Sequence, residues 1–120
     1  GVRVSLFIAP DPAQIAAAAR IGAPVIELHT GAYCDFHAEG DLAARDAELA
    51  RLIAGARQAV SLGLEVHMGH GLTYDTVGPI ATLPEVAELN IGHFLIGEAV
   101  FVGLPHAIAT MREMMEAARG

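Results

Sequence analysis

The segment from Glu65 to Asp75, EVHMGHGLTYD, ends an alternating strand pattern with histidines, glycines and hydroxyl groups. His70 lies between Gly69 and Gly71, and glycines at such a position let backbone amides approach a ligand closely. Because an imidazole exchanges protons near neutral pH, we predict that His70 is an acid–base residue at the end of this strand. The alternative is a histidine that only hydrogen-bonds the turn.

Glu27 is the second candidate for chemistry, since it lies on the polar face of a predicted strand, Pro24 to Thr30. Burying an unpaired carboxylate is costly unless a neighbouring group compensates its charge. Two interpretations stay open. Glu27 is either a catalytic carboxylate or the ion-pair partner of Arg3, the only basic residue on the polar faces of the strands.

The segment NIGHFLIGEA supplies a third feature, a glycine and a histidine directly before a predicted helix. Gly92 and His93 end the last strand where the amide groups of the helix are free and its dipole favours an anion. We therefore predict that Gly92 and His93 bind phosphate, with a simple tight turn as the alternative.

Two other histidines, His29 and His67, are candidate metal ligands. His29, His67 and Glu27 all point to the polar side of their strands, which resembles the ligand set of a hydrolytic barrel. The spacing is not specific, so a metal-dependent hydrolytic barrel stays an alternative function. His37 and His106 are expected on the surface or on helices.

These residues need a framework to position them, and the sequence alternates between strand and helix patterns. Apolar alternation predicts four strands, which are Arg3 to Ala9, Pro24 to Thr30, Leu64 to Gly69 and Glu88 to Gly92. Helical spacing and capping residues predict a first helix that begins after its cap Asp11 and ends at Gly22. The longest helix is predicted from Asp41 to Gly63 and the last from Pro105 to Arg119. A shorter helix near Thr76 to Leu83 is interrupted by a glycine and a proline. We interpret FLIGEAVFV as a short extra helix, although its apolar run also suits a strand.

Strands joined by helical crossovers form a parallel sheet, so the predicted fold class is α/β. Each strand has one apolar and one polar face, as with Ile26 and Leu28 against Glu27 and His29. A sheet with helices on both faces would be apolar throughout, so this pattern favours a barrel with a polar interior over a single-layer sheet with a wetted face. Four strands are half of a (β/α)8 TIM barrel, which typically takes about 250 residues. Residues 1–120 are therefore predicted to be one domain, a half-barrel.

Composition narrows the classes of function. The chain has 14 acidic and 7 basic residues and a net charge of −7, which argues against nucleic acid or an anionic membrane as a partner. All the basic residues are arginine, which excludes a lysine Schiff base, a Walker lysine and lysine-held pyridoxal phosphate. The one cysteine, Cys34, has no basic neighbour and no partner for an internal disulfide, so we expect an inert thiol in a soluble, cytoplasmic protein.

Four segments together resemble the C-terminal half of the pyridoxine 5'-phosphate synthase family, and they span nearly the whole chain. They are RVSLFI, VIELHTGAY, SLGLEVHMGHGLTYDTV and ELNIGHFLIGEAVFVGL. The resemblance implies the last four β/α units of a (β/α)8 barrel that condenses 1-deoxy-D-xylulose 5-phosphate with 3-amino-2-oxopropyl phosphate. The products would be pyridoxine 5'-phosphate, phosphate and water. The resemblance implies no metal and no organic cofactor.

The resemblance also assigns roles to residues of this chain. It makes His70 the proton donor and Glu27 a catalytic carboxylate, and it assigns aminoketone phosphate binding to Gly71, Gly92 and His93. Another catalytic histidine and glutamate of the family belong to the N-terminal half, so a complementary N-terminal half-barrel is an expected partner and the isolated chain an incomplete active site. We also expect a homo-oligomer. The loop at residues 32–41 varies, so no contacts are assigned there. A non-catalytic half-barrel that serves as an assembly module stays an alternative.

Overall fold

The computed structural model describes residues 1–120, which form one four-stranded sheet and six helices. The strands are β1 (Ser5–Ile8), β2 (Val25–His29), β3 (Glu65–Gly69) and β4 (Val86–Asn90). The helices are α1 (Pro12–Arg20), α2 (Gly31–Glu39), α3 (Leu42–Ser61), α4 (Tyr74–Ala81), α5 (His93–Val102) and α6 (Leu104–Arg119).

The sheet is parallel throughout, in the order β1, β2, β3, β4. This confirms the α/β class and matches half of a (β/α)8 barrel, in which consecutive strands are neighbours. His29, Gly69 and Asn90 share one register row at the carboxyl ends of their strands. β1 and β4 are the outer strands, and their outer edges have no partner strand.

The apolar face of the sheet carries the core. Ile26, Leu28, Val66 and Met68 are fully buried and belong to one cluster with Leu52 of α3. Each of these residues alternates with a side chain on the opposite face, so the predicted division of the strands into apolar and polar faces is confirmed.

The opposite face carries Phe7, Glu27, His67 and Glu88 in one row across the four strands. The outer members of this row are exposed, with Phe7 at 51%, whereas His67 in its middle is buried. The row contains the predicted carboxylate, so the fold presents Glu27 on the side where a barrel would have its interior.

Helix α1 begins where the sequence predicts. The side chain of Asp11 accepts hydrogen bonds from the amides of Ala13 and Gln14 at 2.9 and 3.0 Å. The side chain of Gln14 accepts from the amide of Ala9 at 3.3 Å rather than from the capping residue. This second bond ties the start of α1 to the end of β1 and replaces the expected capping box.

The fourth strand was predicted two residues too late. It runs from Val86 to Asn90, and its pairing with β3 contains an irregularity: Val66 pairs with Val86, whereas His67 pairs with Glu88. Ala87 is thus the extra residue of a β-bulge. The bulge interrupts the strict alternation on which the sequence prediction depended.

Residues 32–41 were expected to form a loop, and that prediction was wrong because most of them belong to α2. Thr30, the N-cap, makes no side-chain capping bond, and Gly40 ends the helix with a φ of 77°. Tyr33 is buried and donates its hydroxyl to the carbonyl of Thr76 at 3.0 Å. Contacts of this kind with α4 hold α2 in place and leave little signal in its own sequence.

The remaining segments are helical. FLIGEAVFV lies within α5, which confirms the extra helix, and the disturbed segment near Thr76 forms α4 with Pro79 inside it. The long helix was predicted from Asp41 to Gly63, and α3 runs from Leu42 to Ser61 with Asp41 as its N-cap; α6 ends at Arg119 as predicted. None of these helices combines the length and the apolar composition needed to cross a membrane.

Candidate active site

A hollow of about 600 Å³ opens beside the carboxyl ends of the strands, and we call it the strand-end hollow. It contains all five residues that the sequence predicted for the site: Glu27, His70, Gly71, Gly92 and His93. The rest of its lining is Phe7, Leu72, Asn90, Ile91 and Phe94. Residues from four separate segments thus converge on one space that is large enough for a small organic phosphate.

His70 follows β3 directly and has an unusual backbone. Its φ is +84°, and it is the only residue other than glycine with a positive φ. Such a conformation costs a residue with a Cβ about 1–3 kcal/mol and persists only where the surroundings enforce it. A strained backbone at the histidine that was predicted to be the acid–base residue is typical of a functional position.

Thr30, the residue after β2, holds the backbone of His70 in this conformation through hydrogen bonds. Its amide donates to the carbonyl of Gly69 at 2.9 Å, and its hydroxyl lies 2.7 Å from the carbonyl oxygens of both Gly69 and His70. Thr30 is completely buried, so water cannot replace these bonds. The sequence analysis gave Thr30 no role, because a hydrogen bond between neighbouring strands leaves no pattern in the sequence.

The glycines on either side of His70 are needed for different reasons. A Cβ on Gly69 would overlap the Oε1 atom of Glu27 and the carbonyl oxygen of Asn90. A Cβ on Gly71 would lie 3.1 Å from the Cβ of Cys34, and Gly71 also has a φ of +82°. Gly71 lines the strand-end hollow as predicted, whereas Gly69 is buried and makes room for Glu27 rather than for a ligand.

Glu27 presents its carboxylate to the strand-end hollow without a cationic partner. It is half-buried, and no arginine or histidine nitrogen lies within 4.0 Å of its oxygens. The alternative interpretation, an ion pair between Glu27 and Arg3, is wrong. The Nη2 atom of Arg3 instead donates to the Oε2 atom of Glu65 at 2.7 Å.

Glu65 connects Arg3 to a histidine inside the polar face. The Nε2 atom of His67 lies 2.8 Å from Oε1 of Glu65, and its Nδ1 atom lies 3.6 Å from Oε1 of Glu88. The hydrogen bond from Arg3, followed by that from His67, lowers the pKa of Glu65 below its usual value. These four polar side chains contact one another, and none of them lines the strand-end hollow.

Gly92 and His93 lie at the start of α5, as the sequence predicts. Gly92 is the N-cap residue, and its carbonyl accepts from the amide of Ile96 at 3.0 Å. The amides of the first turn have no partner within the helix, and three residues there, Gly92, His93 and Phe94, line the strand-end hollow. A helix N-terminus favours an anionic group in the space that its first residues line, because its amides are free and its dipole is positive at that end.

The residues proposed as metal ligands do not come together. His29 uses its Nδ1 atom to accept from the amide of Gly31 at 2.9 Å, while His67 is engaged by Glu65 and Glu88. No group of three or more histidine, cysteine, aspartate or glutamate side chains is arranged to hold a metal ion. The geometry therefore gives no support to the metal-dependent alternative.

Cys34 lies in α2 and is buried, with its sulfur 3.8 Å from the carbonyl oxygen of His70. Burial raises the pKa of the Cys34 thiol above its usual value. A thiol of this kind stays protonated at neutral pH and is a poor nucleophile, in agreement with the expectation of an inert cysteine.

Sequence analysis gave no site role to Asn90 or to the aromatic residues of the strand-end hollow. Asn90 is the last residue of β4 and lies beside Gly69 in the register. Its place on the polar face was visible in the alternation, and that position at a strand end is the signal that identifies it. Phe7 and Phe94 carry no comparable signal, because aromatic residues in strands and helices usually belong to a core.

Comparison with known proteins shows similarity over nearly the whole chain. Residues 1–117 match the family described as pyridoxal phosphate biosynthesis protein PdxJ. The chain is similar to pyridoxine 5'-phosphate synthase from Jannaschia sp. (strain CCS1), with 78% identity over 99% of this chain and 48% of the relative. It is also similar to the proteins of the same name from Roseobacter denitrificans and Ruegeria pomeroyi, at 72% and 69% identity and with the same coverage. The chain spans about half the length of the curated relatives that it matches.

Proposed function

The chain belongs to the family of the pyridoxal phosphate biosynthesis protein PdxJ, and from this premise we propose that it forms the C-terminal half of a pyridoxine 5'-phosphate synthase. The complete enzyme would condense 1-deoxy-D-xylulose 5-phosphate with 3-amino-2-oxopropyl phosphate and release phosphate and water. The observation that supports this proposal best is the strand-end hollow, in which an unpaired carboxylate, a strained histidine and a helix N-terminus meet.

The proposed chemistry divides between the substrates and the protein. The amine of the aminoketone phosphate attacks a carbonyl of the sugar phosphate, and loss of water gives an imine, so no enzyme lysine is required. The protein must then move protons and assist the dehydrations that close the ring. His70 is the proposed proton donor, and the carboxylate of Glu27 stabilises positive charge that develops on the nitrogen.

Phosphate binding is proposed for Gly71, Gly92 and His93. No arginine lines the strand-end hollow, so this chain offers a phosphate the backbone amides at the start of α5 and the imidazole of His93. Several lining residues, including Phe7, His70 and His93, are exposed, so further contacts to the sugar phosphate would come from the other half of the barrel.

The first partner in the proposal is therefore a complementary N-terminal half-barrel, which supplies the strands that would pair with the free edges of β1 and β4. The second is another copy of the complete protein in a homo-oligomer. Three apolar side chains of α5 that are more than half exposed, Ile96, Val100 and Phe101, support an interface with one of these partners. A cytoplasmic location is also proposed, because the buried, unpaired thiol of Cys34 suits a reducing compartment.

The test is an assay of the full-length protein that contains this chain, with both substrates supplied and pyridoxine 5'-phosphate measured by chromatography. Replacing His70 with asparagine should lower kcat by about 10²- to 10⁴-fold, because a positioned acid–base group contributes that much. His106→Asn is the matched control, since His106 is exposed on α6 and does not line the hollow.

Two outcomes would count against the proposal in different ways. If the full-length protein makes no pyridoxine 5'-phosphate from these substrates, the proposed activity is wrong. If it makes the product and His70→Asn turns over as fast as His106→Asn, the activity stands and His70 has no part in the proton transfers.

A further inference from the structure

His29 lies next to the strand-end hollow without lining it. It is the last residue of β2, two positions beyond Glu27 on the same face of the strand, and it is half-buried. Its ring is stacked on that of Phe7, with the centroids 4.8 Å apart and the planes at 24°. The centroid of the His70 ring also lies close to that of His29, at 4.5 Å. The three rings thus form one cluster, in which His29 contacts both Phe7 and the proposed proton donor.

A hydrogen bond from the backbone at the start of α2 fixes the orientation of the His29 ring. The amide of Gly31 donates to Nδ1 of His29 at 2.9 Å, so this nitrogen is an acceptor and the ring proton of the neutral imidazole lies on Nε2. A Cβ on Gly31 would overlap the Nδ1 and Cε1 atoms of His29, and it would lie 3.2 Å from Cδ2 of His70. The absence of a side chain at Gly31 is what allows both imidazoles to pack over the start of α2.

The ring of His70, by contrast, has no hydrogen bond to any protein group. Thr30 fixes only its backbone, through the carbonyl oxygen. The neighbouring rings are those of His29 and, at a centroid distance of 6.3 Å, Phe7. The side chain is exposed, and no hydrogen bond from this chain fixes its rotation about χ1 and χ2.

We propose that His29 is a positioning residue, which holds the imidazole of His70 toward the strand-end hollow through contact between the two rings. The catalytic consequence rests on the function proposed above, in which His70 is the proton donor. His29 does not line the hollow, so it acts through His70 and not on a substrate. Its loss should therefore lower kcat and leave KM nearly unchanged.

Two substitutions in the full-length protein separate the ring contact from the hydrogen bond. His29→Phe keeps an aromatic face against His70 and loses the acceptor for the Gly31 amide. His29→Asn keeps an acceptor near the position of Nδ1 and loses the ring. The proposal expects kcat of His29→Phe to stay within about threefold of the unmodified protein, and kcat of His29→Asn to fall by about 10- to 100-fold. His37→Asn on α2 is the control for removing a histidine elsewhere.

Crystal structures of the unmodified protein and of the same variants give a readout that does not depend on turnover. The ring of His70 should occupy one rotamer in the unmodified protein and in His29→Phe, and more than one in His29→Asn. If the protein makes no pyridoxine 5'-phosphate, the proposed function fails while this comparison still decides the positioning role. Should His29→Asn not fold, His29→Leu replaces it, since leucine fills similar volume without an aromatic face and the same loss of kcat is expected.

The proposal is overturned by either of two results. If His29→Asn keeps full kcat and an ordered His70 ring, the hydrogen bond to Gly31 suffices and the ring contact does nothing. If His29→Phe is as impaired as His29→Asn or His29→Leu, an aromatic face cannot replace the imidazole, and stacking is not the role of His29.

Discussion

The buried hydroxyl of Thr30 serves the backbone of His70 rather than the strand-end hollow itself. Together with the Thr30 amide it supplies donors to two consecutive carbonyls, of Gly69 and His70, at the point where the chain enters a positive φ. The side chain of His29 serves the ring of the same residue in the proposal above. The geometry of the proposed proton donor thus depends on two residues of the neighbouring strand end.

Replacing Thr30 with valine tests this support at the level of a single residue. Valine has nearly the same shape and cannot donate, so the carbonyl of His70 loses its close donor in a buried place. We expect the free energy of unfolding to fall by about 1–3 kcal/mol, measured by urea denaturation of the full-length protein. We also expect a lower kcat, because the strained backbone at His70 is no longer held.

The control is Thr82→Val, whose hydroxyl donates to the carbonyl of Pro79 at 2.7 Å in an exposed position. Water can replace that bond, so the free energy of unfolding should change little. If Thr30→Val and Thr82→Val lower the free energy of unfolding equally, the buried hydrogen bonds of Thr30 stabilise the fold no more than an exposed one.

Among the elements, β3 carries the clearest pH-dependent contact, because Glu65 bonds both Arg3, just before β1, and His67 on its own strand. The hydrogen bond from Arg3 and then that from His67 lower the pKa of Glu65 in the folded protein. A carboxyl with a depressed pKa in the folded state stabilises that state above its unfolded pKa, and this contribution is lost as the pH falls through the folded pKa.

Glu65→Gln should therefore lower the unfolding temperature near neutral pH. This difference from the unmodified protein should shrink as the pH falls below the pKa that the carboxyl has in the unfolded chain. Thermal unfolding between pH 3 and pH 7 (roughly the range over which carboxyls titrate) measures this difference. Because the pair with Arg3 is exposed, the effect should also weaken in high salt. Glu113→Gln is the control, because Glu113 is exposed and forms no ion pair. A difference that stays constant with pH would mean that the charge of Glu65 does not stabilise the fold.

The elements also show where sequence reasoning succeeds and where it fails. Period-two alternation and caps such as Asp11 located three strands and α1, α3 and α6, because these signals are local and each residue reports its own environment. Helix α2 was missed because Tyr33 and Cys34 are held by α4 and by the carbonyl of His70, contacts that only the folded chain creates. The start of β4 was missed because of the bulge at Ala87.

The same distinction applies to the site. His70, Gly71, Gly92 and His93 were predicted because glycines beside histidines at strand ends are unusual, and the family resemblance assigned their roles. Thr30 and the packing of His29 on His70 could not be predicted, since they depend on the register that places β2 beside β3. Sequence alone also could not decide between Glu65 and Glu27 as the partner of Arg3, because both lie on the same face of the sheet.

At the scale of the whole molecule, both edges of the sheet have apolar hollows beside them. One of about 310 Å³ lies along β1 and includes Val2, Val4 and Leu6, and one of about 400 Å³ lies along β4 and includes Leu89 and Met115. In a closed barrel such edges are paired and the apolar side of each outer strand is covered by a helix of the adjoining unit. The position of these hollows supports a complementary half that joins at both edges.

Val4→Lys tests this arrangement against a matched control. Val4 is 49% exposed in the hollow along β1, and Val60 is 48% exposed on α3, away from both edge hollows. When the two halves are co-expressed, Val4→Lys should weaken their association by at least about tenfold in Kd, since a charge would be buried at the joint. Val60→Lys should leave the association unchanged, as measured by sedimentation equilibrium, and product formation should follow the same order. If the two variants associate equally well with the complementary half, the halves do not join along β1. The same conclusion follows if this chain remains a folded monomer in the presence of its complement.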